Sequence, residues 1–471
     1  MKITALPVDI ILLITEQVDA LDIISLGKTC RTLHNICSQH VVWTSTVRRI
    51  RNEDVTFPSL LPDHGLDLAR LQREATAPAR FIALLKKTYN ANESLSPQSV
   101  RYITSLSLDP NEELKTIRLL PGGHLLLTAS NTALRIWDVD AQVPFLVHMW
   151  SLNVVDILMI SRTRDGDLRV AVIVRDSVDS HPQLRILDFN YPSCGFKVYS
   201  CAMREWDFPD NFPLYTLSLD YFVFIKGPFL HVWNFALDQY ARWSIPAQMY
   251  ERMDSESSPQ MIIFMSNTKL YGWKPRLPPH SPNSSVQVQE LVPDFELPVI
   301  PARYGVDTIR CGLATWYGST EYSLIFDVAT KMAYDSNYTF SSFEVTPPSP
   351  DRLGGVRLLS VETLPKDPDP GLRMQLYVYR RAHNRLFKMW YNELEAPPTC
   401  YTVAFRDNPR TPSENFADDP SVEVRLLLPD RMPLDTDEEP MADANLDPSS
   451  GRLCFMKRDG DFVGIIDYLP L

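Results

Sequence analysis

Two unlike regions are predicted along this multidomain chain: a small all-α unit with a helical linker, and then a large all-β array of about seven repeated sheets. Three observations predict it. In the first 95 residues apolar side chains recur at spacings of three and four, the period of a helix. From Tyr102 onward that period gives way to short runs rich in Val, Ile, Leu and aromatic residues, separated by turn residues. Within this later region a short stretch returns almost unchanged: LRIWD at 134–138 is echoed by LRILD at 184–188.

The bulk numbers bound what such a chain does. Its 471 residues leave room for two or three domains, or for one small domain and a large repeat array. With 45% hydrophobic and 22% charged residues, most of it is globular. Prolines (38) outnumber glycines (17), which suits ordered loops better than flexible linkers. A net charge of −12 argues against nucleic acid as a partner. Some of that acid is local. Residues 430–447 hold seven carboxylates and one cation, Arg431, and read as a solvated insert, with a recruiting acidic tail as the sharper alternative. The seven cysteines are scattered without a C-x-x-C, as expected for reduced thiols inside the cell, in the cytoplasm, the nucleus or both. No stretch approaches eighteen apolar residues, so no membrane span is expected.

The helical unit occupies residues 1–50. Pro7 suits the first turn of a helix and Asp9 suits its positive end. That helix is expected to run to about Val18. Asp19 is placed to cap a second helix, and Ile23, Leu26, Cys30, Leu33 and Cys37 form one stripe on a helical hairpin. The first helix is different. Ile10, Ile11, Leu12, Leu13 and Ile14 are consecutive, so it is apolar all round. A unit of about 50 residues cannot bury both sides of such a helix. The rest of the chain or a second protein must cover it.

Leu6-Pro7, Asp9, the Ile/Leu run, Asp22-Ile23, Leu26, KTCRTL at 28–33 and Trp43 together resemble an F-box. One departure is Leu33, where many members of that family have Trp. The resemblance implies a three-helix unit that binds the adaptor subunit of a cullin-RING (SCF-type) ubiquitin ligase. It places Leu6, Pro7, Ile10, Ile14, Ile23, Leu26 and Trp43 in binding or supporting positions. For each of them a packed core position in the same helices is the competing reading.

Residues 51–95 form the linker. GLDLARLQREA and ARFIALLKKTY have helical spacing, and a break is expected at Pro78. Residues 96–471 form the array. Seven hairpins are visible, at 124–139, 168–189, 221–235 and 260–274, at EYSLIFDV (321–328) with TIRCGLATWY, at 374–390 and at 452–468. Near the end of each stands a large apolar residue: Trp137, Leu187, Trp233, Trp273, Phe326, Trp390 and Ile466. A recurrence of about 40–50 residues, with four strand-like runs per unit, is that of a propeller blade. The longer steps are assigned to loops between blades, at 275–301 with its seven prolines and at 407–447. LRIWD and LRILD are then third strands of successive blades. Hairpin count gives seven blades, with six and eight left open. Trp137-Asp138 resembles WD-repeat propellers, although the regular Gly-His dipeptide of that family appears only as Gly123-His124, at a different offset. The last hairpin lacks an outer strand, and RYITSLSL (101–108) is predicted to supply it.

Chemistry-bearing motifs are scarce. There is no Gly-rich phosphate loop, no GxSxG and no H-x-x-x-H, and the nine histidines are dispersed. No catalytic residue, metal ligand or cofactor is therefore expected. YRRAHNRLFK gathers Arg380, Arg381, Arg385 and Lys388, a candidate patch for an acidic or phosphorylated client protein; a solvated hairpin turn is the plainer reading. Trp206 and Trp316 are candidate partner anchors or strand core. The leading expectation is a substrate receptor, with the F-box on the ligase adaptor and the propeller on the client. A non-catalytic propeller scaffold without a ligase role is the alternative, and a propeller enzyme the third.

Overall fold

The computed structural model describes residues 3–53, 67–103, 112–120, 122–163, 167–175, 183–190, 195–202, 214–217, 220–245, 254–257, 262–265, 269–273, 289–290, 292–298, 306–312, 324–332, 338–346, 355–363, 374–382, 385–392, 400–407, 422–428, 441–457 and 462–470. Five α-helices come first: α1 (Val8–Thr15), α2 (Ala20–Gly27), α3 (Arg31–Cys37), α4 (His40–Glu53) and α5 (Leu68–Ala91). α1 stops three residues short of the expected Val18. Its last turn tightens instead, with the Thr15 hydroxyl donating to the Leu12 carbonyl at 2.7 Å. Ile23, Cys37, Val42, Trp43 and Val47 share a core that also takes Leu71 and Ala75 of α5. A second core joins Ile11 of α1 to Leu33 and Ile36 of α3. Cys30 leaves the predicted stripe: it is exposed and stands at the N-cap of α3. Gly27 lets α2 and α3 approach closely: a Cβ there would lie 3.3 Å from that of Cys37, tighter than ordinary contact.

α5 does not break at Pro78; one helix runs through it. An interior proline removes one hydrogen bond and costs roughly 3 kcal/mol. Packing offsets that cost. Phe81, Ile82 and Leu85, on the next two turns, are buried against the β array, and each such burial stabilises by about 1.5–3 kcal/mol. Asn92, in the left-handed conformation at φ 53°, ends the helix.

The β array begins with β1 (Ser99–Ile103). The first sheet is β2 (Leu114–Leu119), β3 (Leu125–Ser130), β4 (Ala133–Asp138) and β5 (Phe145–Ser151). The second is β6 (Val154–Arg162), β7 (Leu168–Val174), β8 (Gln183–Asn190) and β9 (Gly195–Ala202). The third holds β10 (Leu214–Leu217), β11 (Tyr221–Lys226), β12 (Phe229–Asn234) and β13 (Gln239–Ser244). The fourth starts with β14 (Asp254–Ser257), β15 (Ile262–Met265) and β16 (Lys269–Trp273). A short β17 (Gln289–Glu290) then joins β13 in parallel, and β18 (Phe295–Pro298) completes the fourth sheet. The fifth is β19 (Val306–Gly312), β20 (Leu324–Met332), β21 (Tyr338–Thr346) and β22 (Gly355–Thr363). The sixth is β23 (Met374–Ala382), β24 (Arg385–Asn392), β25 (Cys400–Asp407) and β26 (Val422–Leu427). The last is β27 (Met441–Asp447), β28 (Arg452–Lys457) and β29 (Val463–Asp467), with β1 as its outer strand.

This succession of sheets is a β-propeller. The first strands of neighbouring sheets lie side by side: β2 meets β6, β6 meets β10, β10 meets β14, β14 meets β19, β23 meets β27, and β27 returns to β2. The predicted closure is present, in antiparallel register from Ser99↔Asp467 to Ile103↔Val463. Residues 104–108 of the expected strand lie outside the described residues.

The echo has a packing cause. In β4, Leu134 and Ile136 face the second sheet while Trp137 faces the last. In β8, Leu184 and Ile186 face the third sheet while Leu187 faces the first. Alternation along a strand sends side chains to opposite faces. A blade between two neighbours therefore needs the same large residues at the same places. β12 repeats the arrangement with Leu230 and Val232 on one side and Trp233 on the other.

The pattern misled in two sheets. Phe326 lies on β20 and Trp390 on β24, which are second strands, so those hairpins pair first with second rather than second with third. Every strand of a stacked blade needs large apolar residues, so their size does not report strand position. The two loops between blades also contain strands: β17 and β18 fall within 275–301, and β26 and β27 within 407–447. The end of the acidic insert is thus the first strand of the last sheet. Ala444 and Leu446 are core, and Asp447 is buried. Residues 429–440 lie outside the described residues, apart from their neighbours on β26 and β27.

Candidate protein-docking surfaces

Pro7 precedes α1 in an extended conformation, and Asp9 stands in its first turn. Ile11 and Thr15 point inward. The opposite side is exposed: Ile10 is 42% exposed and Leu13 57%, while Val8, at the first position of the helix, is 48% exposed on the inner side. Pro7, Ile10, Leu13 and Ile14 recur at helical spacings of three and four, so they make one stripe. Among the described residues, Ile11 packs on Leu33 and Ile36 of α3, whereas Ile10 and Leu13 remain exposed.

The seven expected docking residues divide by burial. Pro7 and Ile10 are exposed. Leu6, Ile14 and Leu26 are less so, with Leu6 and Leu26 packed around Ile11 and Leu33. Ile23 and Trp43 are core, and the indole of Trp43 donates to the Cys37 carbonyl at 2.6 Å. Those two support the face without forming it. Leu13 also belongs to the exposed stripe and was not among the seven. The consecutive apolar run signalled it, since a helix apolar all round has a second face to cover.

A family model matches this region: residues 3–49 fit the F-box-like family. The N-terminal unit is F-box-like. Leu33, which departs from the expected pattern, is buried beside Ile11 and Ile36 and fills its place in the core. No curated protein sequence matches the chain. Among solved structures, the WD40 domain of SCAP from fission yeast is similar at 12% identity and TM-score 0.39, over 76% of this chain and 84% of that one. The C-terminal WD40 domain of Sif2 is similar at 8% identity and TM-score 0.42, over 76% and 97%. The β-propeller domain of Myceliophteria thermophila Cps50 (Swd1) is similar at 11% identity and TM-score 0.41, over 77% and 98%. The propeller reading rests on the sheet order itself.

The F-box-like unit and the propeller meet through α5. A buried charge cluster sits at this junction. His124, in the turn before β3, lies 3.3 Å from Glu74 of α5 and 3.5 Å from Asp140. Arg70 reaches Asp140 at 3.3 Å, and Arg452 of β28 reaches it at 3.5 Å. Arg452 also holds Asp467 of β29 at 2.5 Å, and Arg101 of β1 binds the other oxygen at 2.5 Å. One connected set of charges therefore spans α5, the first sheet and the closing pair of strands. Burial opposes charge on His124, but the adjacent carboxylates of Asp140 and Glu74 outweigh burial and raise its pKa. Burial would raise that of Asp140, yet His124, Arg452 and Arg70 hold it well below the usual carboxylate range. Burial pushes the Cys454 thiol up to about 12.

The four candidate client-binding cations lie on paired strands, not in a turn. Arg380 and Arg381 belong to β23, and Arg385 and Lys388 to β24. Their side chains, the two residues between the strands, Trp206 and Trp316 lie outside the described residues. Among the described residues no group of three or more His, Cys, Asp or Glu is placed to hold a metal ion, and no helix is long and apolar enough to cross a membrane.

Proposed function

We propose that this chain is the substrate-receptor subunit of an SCF-type cullin-RING ubiquitin ligase, working in the cytoplasm or nucleus. The α1 stripe docks the ligase adaptor, and the propeller holds a client protein. The observation that carries this is the exposed stripe of Ile10 and Leu13 on the outer side of α1 in an F-box-like unit. Apolar surface of this kind is stabilised by removal from water. The chain supplies no bond chemistry; it raises the local concentration of a client lysine near a ubiquitin carrier held by other subunits.

The test is affinity purification of the full chain with mass spectrometry, beside the variant Ile10→Asp with Leu13→Asp. Both positions are exposed, so the variant is expected to melt like the parent and lose the adaptor. Adaptor recovery at the parental level overturns the docking assignment and leaves a propeller scaffold. For the client, we propose contact through Arg380, Arg381, Arg385 and Lys388. Charge reversal of the three arginines is expected to remove clients while the adaptor stays, and an unchanged client set overturns that assignment.

A further inference from the structure

A cavity of about 420 Å³ opens on α5, walled by Arg70, Arg73 and Arg80, with Pro470 closing one side. At positions 70, 73 and 80 the three guanidinium groups fall on one face of the helix, strung over about 15 Å of its axis. In a chain of net charge −12, such a concentration of cations runs against the trend.

Nearby carboxylates offset it only in part. Asp67 lines the same cavity, but its Oδ1 accepts the backbone N–H of Arg70 at 2.7 Å as a helix cap. Asp140 is shared among Arg70, Arg73, Arg452 and His124. Arg73 reaches it only at 3.8 Å, beyond hydrogen-bond range. Glu74 is divided between His124 and Arg70, the latter at 3.7 Å. The Nε and Nη2 atoms of Arg70 are consequently buried without a hydrogen bond. Buried donors of this kind are ordinarily satisfied.

We propose that this cavity binds an extended acidic segment of a protein partner, with its anionic side chains taken by Arg70, Arg73 and Arg80. Guanidinium groups bind carboxylates and phosphates through paired N–H donors. Alternate residues of an extended strand lie about 7 Å apart, so three anionic residues cover about 14 Å, the length of the arginine row. A single small anion touches one end of that row. The site is separate from α1 and does not depend on the ligase reading.

Fluorescence anisotropy on the full chain tests this with three nine-residue probes. One carries glutamate at alternate positions, one glutamine there and one phosphoserine. The glutamate probe is expected to bind at least tenfold more tightly than the glutamine probe, and to weaken as salt rises. Arg73→Glu with Arg80→Glu is expected to weaken it at least tenfold, with adaptor capture unchanged. Arg70 is left in place because it pairs with Asp140. Arg73→Gln with Arg80→Gln guards against a folding defect and is expected to lose binding while melting like the parent. A phosphoserine probe that binds more tightly still assigns the natural anion as phosphate, and equal binding assigns it as carboxylate. Equal affinity of the glutamate and glutamine probes, or of the parent and the glutamine variant, within twofold, overturns the proposal.

Discussion

α1 and α5 both carry more apolar surface than the small helical unit can cover, and they end in opposite states. Phe81, Ile82 and Leu85 of α5 are sealed by β26, β28 and β29, supplied from more than 300 residues further along the chain. Ile10 and Leu13 of α1 stay in contact with water. The difference teaches how an apolar excess is to be read. It reports that a covering surface exists, while the identity of that surface depends on the fold as a whole.

The largest expected break comes from deleting 463–471. This removes β29 with Tyr468 and Leu469, strips β1 and β28 of their partner, and uncovers α5. Loss of the cooperative calorimetric transition is expected, and an unchanged melting curve contradicts the closure. Next is Phe81→Ala, which empties the centre of the α5 contact and is expected to cost about 3–5 kcal/mol in urea unfolding. Gly451→Ala acts on the same contact from the propeller side. Gly451 has φ +66°, and a Cβ there would lie 2.8 Å from a Phe81 ring carbon. A loss of about 1–3 kcal/mol is expected from overpacking, with the melting temperature falling accordingly.

The charge cluster gives a smaller effect with a definite sign. Because the folded pKa of His124 is raised, the folded state holds more protons than the unfolded one above about pH 6.5. The stability it contributes is complete below that pH and disappears as pH rises through the folded value. Glu74, Asp140, Arg70 and Arg452 are the charges facing it. Urea midpoints measured from pH 6 to 9 are expected to fall for the parent and to flatten for His124→Gln. The smallest effect belongs to α1. Leu13→Ala is expected to leave stability within about 0.5 kcal/mol, since Leu13 is 57% exposed. A cost comparable to that of Phe81→Ala would mean that α1 is covered after all.

Much of this was legible beforehand. Helical spacing located α1, the α2–α3 hairpin and α5, though not α4, and the LRIWD echo located third strands in two sheets, because both patterns follow directly from which faces must be dry. Strand order in the fifth and sixth sheets was not legible, since Phe326 and Trp390 satisfy stacking equally well from a second strand. Pro78 suggested a break because local propensity takes no account of the sheets that hold α5 together. The acids at 443 and 447 looked solvated by composition. Asp443 instead takes the Arg118 guanidinium at 2.7 Å, and Asp447 accepts from the Ser450 hydroxyl at 2.7 Å. The α5 arginine row was missed because its cations are spread over eleven residues and are read as ordinary helix surface.

The pairing of β1 with β29 also bears on the order in which the molecule is made. Some 360 residues separate the partners Ile103 and Val463. At translation rates of about 5–20 residues per second, β1 leaves the ribosome roughly 20–70 s before its partner exists. During that interval the apolar side of α5 and the edge of β1 are both bare on the nascent chain. The F-box-like unit, whose core takes Leu68, Leu71 and Ala75 from the first turns of α5, has all its parts early. The exposed face of α1 therefore forms well before the ring does, and the propeller is the portion of this protein that has to wait for β29 to be synthesised.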